Sequence, residues 1–156
     1  MLKLSYLDYR ALRAHGEETY PHECCGALLG HATPDGNHVS QTVRAGNTRS
    51  DRAHDRYNIA PEELIKIQRH ARGLGLDIVG FYHSHPDCPA QWSKTDFDEA
   101  HWVGCSYIIT RVNRGKADVT NSFLLTGMGE DDKQFIDEAV EIEMAPSQTE
   151  KAQAKG

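Results

Sequence analysis

The sequence predicts an α/β domain, because two segments with helical spacing alternate with apolar segments of strand length. The first helix covers residues 5–19, where apolar side chains recur at helical spacing and Ser5 is placed to cap the N-terminus. A second helix begins at Pro61, which favours a helix start together with the two acids that follow it, and ends near Gly73. The 156 residues are enough for one hydrophobic core, so we expect a single domain.

The strands are predicted from short apolar runs bounded by turn residues. These runs cover residues 24–30, 77–82 and 106–112. The turn compositions of residues 33–37 and 113–116 predict two hairpins, whose returning strands end by residue 44 and near residue 125. Residues 133–143 are ambiguous, but their alternating apolar residues resemble an edge strand.

The remaining segments are a short helix, a polar loop and a polar tail. Residues 93–102 predict the third helix. The Arg-rich loop 46–58 has two interpretations, a solvated connection or a substrate-facing loop in which Arg49, Arg52 and Arg56 meet an acidic partner. The chain from residue 145 is polar, so we expect a folded domain over residues 1–144 and a disordered tail over residues 145–156.

Composition argues against several classes of protein. The formal net charge is -6, and this acidic balance argues against a nucleic-acid binder. The sequence contains no run of 18 apolar residues and its first eight residues are broken by charge, so we expect neither a transmembrane helix nor a signal peptide. A cytoplasmic location with reduced cysteines follows as the expectation.

The cysteines do not form a metal-binding pattern. The chain has four of them, Cys24, Cys25, Cys88 and Cys105, and no C-x-x-C pair. Because successive side chains of a strand point to opposite faces, Cys24 and Cys25 are expected to enter different sides of the sheet. The nine histidines are the more unusual feature for a chain of this length, so they are the residues to search for metal spacing.

Two of these histidines have the spacing of a metal site. His83 and His85 follow the predicted strand 77–82 and lie two residues apart, so on extended backbone both imidazoles point the same way. Pro86 is expected to stop the strand directly after them, where a cleft can open. An H-x-H pair alone is weak evidence in a histidine-rich chain, so the context decides its meaning.

Asp96 supplies that context about one turn into the predicted third helix. Its pattern with Ser93 predicts a capping box, with Ser93 as the N-cap. A capped helix would also hold Asp96 steady as a metal ligand, so the two interpretations are compatible. Two histidines and one aspartate leave a fourth tetrahedral position for water, which is the open coordination of a catalytic zinc ion (Zn²⁺).

The water at such a site needs a proton carrier, and Glu23 is the best upstream candidate. It directly precedes the apolar run 24–30. An acid at the start of a strand is ordinarily a surface residue, so only the assembled pattern singles out Glu23.

The assembled pattern resembles the JAMM, or MPN-plus, metalloprotease family. That family has an upstream Glu, then H-x-H, ten residues and an Asp, with a Ser three residues before the Asp. Glu23, His83, His85, Ser93 and Asp96 match all five positions, including the ten-residue gap. The similarity spans roughly residues 4–125, and the segment after Pro86 is similar to the small stand-alone bacterial members. Trp92 departs from the family, which commonly has Pro before the Ser, and Cys88 is less usual too.

The resemblance implies a fold, a mechanism and a substrate class. The implied fold is a mixed, curved sheet flanked by three helices, of the cytidine-deaminase-like type. The implied metal ligands are His83, His85 and Asp96, with Glu23 as the proton shuttle and Ser93 as the oxyanion donor. The implied partner is a ubiquitin-like or sulfur-carrier protein with a Gly-Gly tail, and the bond cut is the amide that follows this tail.

Three rival functions remain to be compared with this one. A non-catalytic MPN-type scaffold would bind partners, but such members usually lack the ligands that this chain retains. A zinc nucleobase deaminase would require H-x-E and P-C-x-x-C, and neither occurs here. A DNA-associated relative with the same metal pattern is disfavoured by the acidic charge. The sequence does not reveal the oligomeric state.

Overall fold

The computed structural model describes residues 1–47 and 58–144, which form one curled, mixed sheet flanked by helices. The predicted α/β fold is therefore confirmed. The predictions for Arg49, Arg52 and Arg56 and for the tail 145–156 lie outside the described residues. Among the described residues, no helix has the length and apolar character that crossing a membrane requires.

The sheet contains eight strands and the described residues form three helices. The strands are β1 (Leu2–Ser5), β2 (Cys25–Thr33), β3 (Gly36–Ala45), β4 (Asp77–Pro86), β5 (Ser106–Asn113), β6 (Lys116–Thr126), β7 (Gln134–Glu138) and β8 (Val140–Glu143). The helices are α1 (Tyr6–Thr19), α2 (Pro61–Gly73) and α3 (Lys94–Asp98). Ser5 caps α1 as predicted, since its hydroxyl accepts a hydrogen bond from the Asp8 N–H at 3.1 Å.

Two of the element boundaries that differ from the prediction lie next to the predicted site residues. The predicted helix 93–102 is wrong in its length, because α3 ends at Asp98. The Lys133 ammonium donates hydrogen bonds to the carbonyl oxygens of Phe97 and Ala100 at 3.0 and 2.9 Å. These two carbonyls are therefore bound by a side chain from outside the helix. The predicted strand 77–82 is also too short, because in the structure β4 stays paired with β5 as far as Pro86, which lies opposite Val112. Both histidines therefore lie on paired strand.

The strand order is β7-β6-β5-β4-β2-β3-β1-β8. β4 pairs with β5 in parallel, and β1 is parallel to both β3 and β8, while the other neighbours are antiparallel. The ambiguous segment 133–143 forms both edge strands, with only Ala139 between them. Because β7 and β8 lie at opposite ends of the strand order, the sheet must curl until its two edges meet at Ala139.

The alternation of side chains along β4 places the two histidines. Tyr82 points into the core formed with α1, whereas Phe81 points into the core formed with α2. His83 and His85 continue the alternation of Phe81, so they lie on the α2 face of the sheet. The same rule separates Cys24 from Cys25, which enter different cores as predicted.

Candidate metal centre

Two imidazoles meet on the α2 face of β4. The Nε2 atoms of His83 and His85 are 3.0 Å apart, and their ring centroids are 4.9 Å apart. Both side chains are buried, with exposed fractions of 2% and 8%. The sequence prediction that the i, i+2 spacing brings both rings to one point is confirmed.

The orientation of His85 is set by the loop that follows β4. Its Nδ1 lies 2.8 Å from the Pro89 carbonyl oxygen. A carbonyl can only accept, so Nδ1 carries a proton, and in the neutral ring Nε2 is the nitrogen left to bind a metal. Metal-ligating histidines commonly have this arrangement, in which a backbone carbonyl fixes the tautomer.

The Asp96 carboxylate contacts both imidazoles. Its Oδ1 lies 3.3 Å from His83 Nε2 and its Oδ2 lies 3.2 Å from His85 Nε2. The predicted capping box is present, since the Ser93 N–H donates to Asp96 Oδ2 at 2.9 Å and the Ser93 hydroxyl accepts from the Asp96 N–H at 3.1 Å. The cap therefore orients the carboxylate toward the histidines.

Glu23 approaches the same point from the start of β2. Its side chain is buried, with 5% exposed, and its Oε1 lies 3.8 Å from His85 Nε2. Cys25 pairs with His83 across β2 and β4, and this register brings Glu23 beside the two histidines. Glu23, His83 and His85 each offer one ligand atom within 4.8 Å of the others.

The donor set fits a zinc ion. Two imidazole nitrogens and a carboxylate converge here in a buried position, and these are the ligands that zinc takes in catalytic sites. Asp96 is the nearer carboxylate, at 3.2 and 3.3 Å from the imidazoles, and Glu23 is farther, at 3.8 Å. The predicted ligand Asp96 is thus nearer to the imidazoles than Glu23, the predicted proton shuttle.

Electrostatics favours the protonation states that metal binding requires at His83 and Asp96, whereas at His85 a bound metal would have to displace a proton. Burial lowers the pKa of His83 against the opposing pull of Asp96, which keeps its imidazole neutral. Burial by itself would lower the pKa of His85. The hydrogen bond to Asp96 and the negative charge of Asp96 outweigh burial, so the pKa of His85 is raised. Burial by itself would raise the pKa of Asp96. The two histidines and the Ser93 N–H outweigh this effect and hold the pKa of Asp96 well below the usual range. Asp96 is thus an anion at neutral pH.

A cleft of about 310 Å³ opens beside His85. Its wall includes Glu23, His85, Trp92 and Ser93. Ser93 is exposed, and its hydroxyl oxygen already accepts from Asp96 N–H, so its own proton remains available to a bound group. A substrate in this cleft would reach the predicted shuttle, a predicted metal ligand and the predicted oxyanion donor together.

The other histidines lie away from this centre or outside the described residues. His22, His31, His70 and His101 are exposed, as expected of residues that do not bind a metal. His101 falls within the helix predicted over residues 93–102 but lies beyond the observed end of α3, and its Nδ1 is 2.6 Å from Glu130. His54 falls outside the described residues.

Sequence analysis missed two buried polar residues next to the centre. The Ser84 hydroxyl lies on the α1 face of β4, where it accepts a hydrogen bond from the Cys24 N–H at 2.8 Å. His15, on α1, lies 2.7 Å from the hydroxyl of Tyr82 through its Nδ1. Both contacts join residues at least 60 positions apart, so no local signal in the sequence indicates them.

Ser84→Ala is expected to lower the free energy of unfolding by about 1–3 kcal/mol, because it leaves the buried Cys24 N–H without its acceptor. The measurement is urea unfolding of the two proteins at pH 7. Ser40→Ala, at an exposed position of β3, is the matched control and should change little. If the Ser84→Ala protein and the wild type are equally stable, the hydrogen bond from the Cys24 N–H to Ser84 does not hold Cys24, the neighbour of Glu23, in place.

Comparison with known proteins agrees with the geometry of the centre. A family model described as prokaryotic homologs of the JAB domain matches residues 8–126. The chain belongs to this family. The family's match covers every predicted site residue, and the resemblance to JAMM proteins is confirmed.

A curated protein and two solved structures are similar to this JAB-domain chain. The desampylase of Haloferax volcanii is 37% identical over 92 residues, which is 57% of this chain and 62% of the desampylase. Protein DSY2949 of Desulfitobacterium hafniense superposes with a TM-score of 0.78 at 25% identity, over 93% of this chain and 94% of its own. A Salinibacter ruber protein gives a TM-score of 0.70 at 36% identity, over 90% and 91%. The fold thus recurs in small bacterial chains, while the desampylase match spans less than two thirds of that enzyme.

Proposed function

We propose that this JAB-domain protein is a zinc-dependent hydrolase that cuts the amide bond after the C-terminal Gly-Gly of a ubiquitin-like or sulfur-carrier protein. The observation that carries the proposal is the convergence of His83, His85 and Asp96 with Glu23 at one buried point beside a cleft. The similarity to the Haloferax volcanii desampylase supports this substrate class. The four cysteines are free thiols, which supports a cytoplasmic location.

In this mechanism His83, His85 and Asp96 would hold the zinc ion. When bound, zinc acts as a Lewis acid that acidifies water and polarises the scissile carbonyl. Glu23 accepts the proton of the attacking water as general base and then delivers it to the leaving amine as general acid. Its burial beside His85 keeps this transfer away from bulk solvent.

Ser93 acts on the carbonyl oxygen of the substrate. Its hydroxyl donates a hydrogen bond as that oxygen gains negative charge, and one such donor is typically worth about 3 kcal/mol in the transition state. The hydroxyl is held by the N-cap contact with Asp96, so its oxygen is fixed relative to a metal ligand. The cleft wall next to Ser93 would receive the extended tail of the carrier.

The test is hydrolysis of defined conjugates by the zinc-loaded protein. The substrates are small Gly-Gly-ended carrier proteins extended by one amino acid, joined either through its α-amine or through a lysine side chain. Mass spectrometry should show loss of the added amino acid, and the two linkages distinguish linear from isopeptide bonds. Binding of these conjugates without cleavage by the zinc-loaded protein would contradict the proposal and favour the scaffold function.

A further inference from the structure

Asp87 lies directly after β4 and has an unusual backbone conformation. Its φ is +56°, and Arg114 is the only other non-glycine residue with positive φ in the described ranges 1–47 and 58–144. For an L-residue this conformation costs roughly 1–2 kcal/mol, although aspartate tolerates it better than most because its short side chain can form local hydrogen bonds. The surrounding contacts must therefore hold Asp87 in place.

Three hydrogen bonds hold it. The Asp87 N–H donates to the Val112 carbonyl at 2.9 Å. Its Oδ1 accepts from the Arg114 N–H at 2.8 Å, and its Oδ2 accepts from the Tyr20 hydroxyl at 2.6 Å. The Tyr20 ring also lies against Gly115. One carboxylate thus joins the end of α1, the turn between β5 and β6, and the loop after β4.

The joined segments are those that carry the candidate centre. Tyr20 precedes Glu23 by three residues, and the His22 N–H donates to the Thr19 carbonyl at 2.9 Å, which keeps the intervening chain in a tight turn. On the other side, Asp87 precedes Pro89 by two residues, and the Pro89 carbonyl fixes His85. Asp87 therefore connects the segment that leads to the proton shuttle with the loop that orients a metal ligand.

We propose that Asp87 is a positioning residue, which sets the distance between Glu23 and His85 through its bonds to Tyr20 and to the β5–β6 turn. The inference rests on the proposed zinc hydrolase function. Asp87 is exposed, so the packing of the core does not depend on its side chain. The competing explanation is that Asp87 serves only as a turn residue that tolerates a positive φ.

Two variants separate these explanations. Asp87→Gly keeps the left-handed conformation accessible but removes the carboxylate. Tyr20→Phe removes only the hydroxyl that donates to it. Tyr6→Phe is the matched control, because Tyr6 is an exposed tyrosine at the opposite end of α1. A turn residue would be replaced by glycine without loss, whereas a positioning residue would not.

The first readout is zinc affinity, measured by competition with a chromophoric chelator. We expect both variants to bind zinc about tenfold more weakly than the wild type, which is the usual effect of losing a group that orients a ligand. The double variant should be no weaker than Asp87→Gly alone, because both changes remove the same contact. The Tyr6→Phe control should bind as the wild type does.

The second readout is hydrolysis of the carrier conjugates. We expect kcat to fall about tenfold while KM stays within about twofold, because the variants misplace Glu23 and His85 without altering the outer cleft. Melting of the zinc-free proteins reports on folding. If Asp87→Gly lowers the melting temperature, the zinc affinity and kcat of the milder Tyr20→Phe variant test the positioning role.

The outcomes separate this inference from the proposed function. If the wild type binds zinc but cleaves no conjugate, the proposed function is contradicted. The zinc affinities of the variants would still test the positioning role of Asp87. A wild type that cleaves, with both variants binding and cleaving equally well, would overturn the role of Asp87 alone. Additive losses in the double variant would also overturn it, because the two residues would then act independently. A wild type that binds no zinc would overturn both.

Discussion

Glu23→Gln should retain zinc and lose hydrolysis of a carrier conjugate by a factor on the order of 10²–10⁴, which is the usual contribution of general acid–base catalysis. The amide keeps the shape of the carboxylate and can still fill its buried position beside His85. It cannot accept a proton from water or deliver one to the leaving amine. Bound zinc is measured by elemental analysis and turnover by mass spectrometry of the released amino acid.

Zinc content is the decisive control for Glu23. Its carboxylate lies within ligand distance of the two histidines, so a structural role as a metal ligand is the competing explanation. Loss of zinc in the Glu23→Gln protein would support that explanation and contradict the shuttle. Full zinc occupancy with wild-type turnover would contradict both.

Asp96→Asn should weaken zinc binding by at least about a hundredfold, more than is typical for losing an outer-shell partner of a ligand. The amide oxygen can still accept the Ser93 N–H, so α3 keeps its cap. The negative charge that faces both imidazoles is removed, and with it the carboxylate that we assign to the metal. Turnover should fall in parallel at low zinc concentration.

Asp98→Asn is the matched control for this change, because Asp98 lies on the same short helix and pairs with Lys94 at the surface. Exposed pairs of this kind contribute little to stability, so zinc affinity and folding should stay close to the wild type. Zinc affinity would be measured by chelator competition for the three proteins. Equal affinity of the Asp96 variant and the wild type would remove Asp96 from the ligand set.

The parts of the centre that could be predicted from the sequence are those with a local signal. His83 and His85 are two residues apart on a strand, and Asp96 lies in a capping box, so periodicity and helix capping place them. Glu23 has no such signal. It reaches the histidines only because β2 pairs with β4 in a register that sets Cys25 opposite His83, and the family resemblance supplied that information.

The features that the sequence did not reveal depend on contacts between distant residues. The length of α3 is limited by Lys133, which lies 36 residues from Phe97 along the chain. β1 has only four residues and is held by pairing with β3 and β8, so it has too little length for a periodic pattern. Ser84 and Asp87 act through partners 60 and 67 residues away, directly before β2 and directly after α1.

The single residue between β7 and β8 has a consequence for the behaviour of the whole protein. Because Ala139 holds the last two strands on opposite borders of the sheet, neither strand can slip along its neighbour without pulling on the other. An insertion at this point would loosen both borders at once. Both border strands are also short, at five and four residues, so each offers little unpaired main chain for another molecule to join, which guards a small α/β protein against growing into aggregates strand by strand.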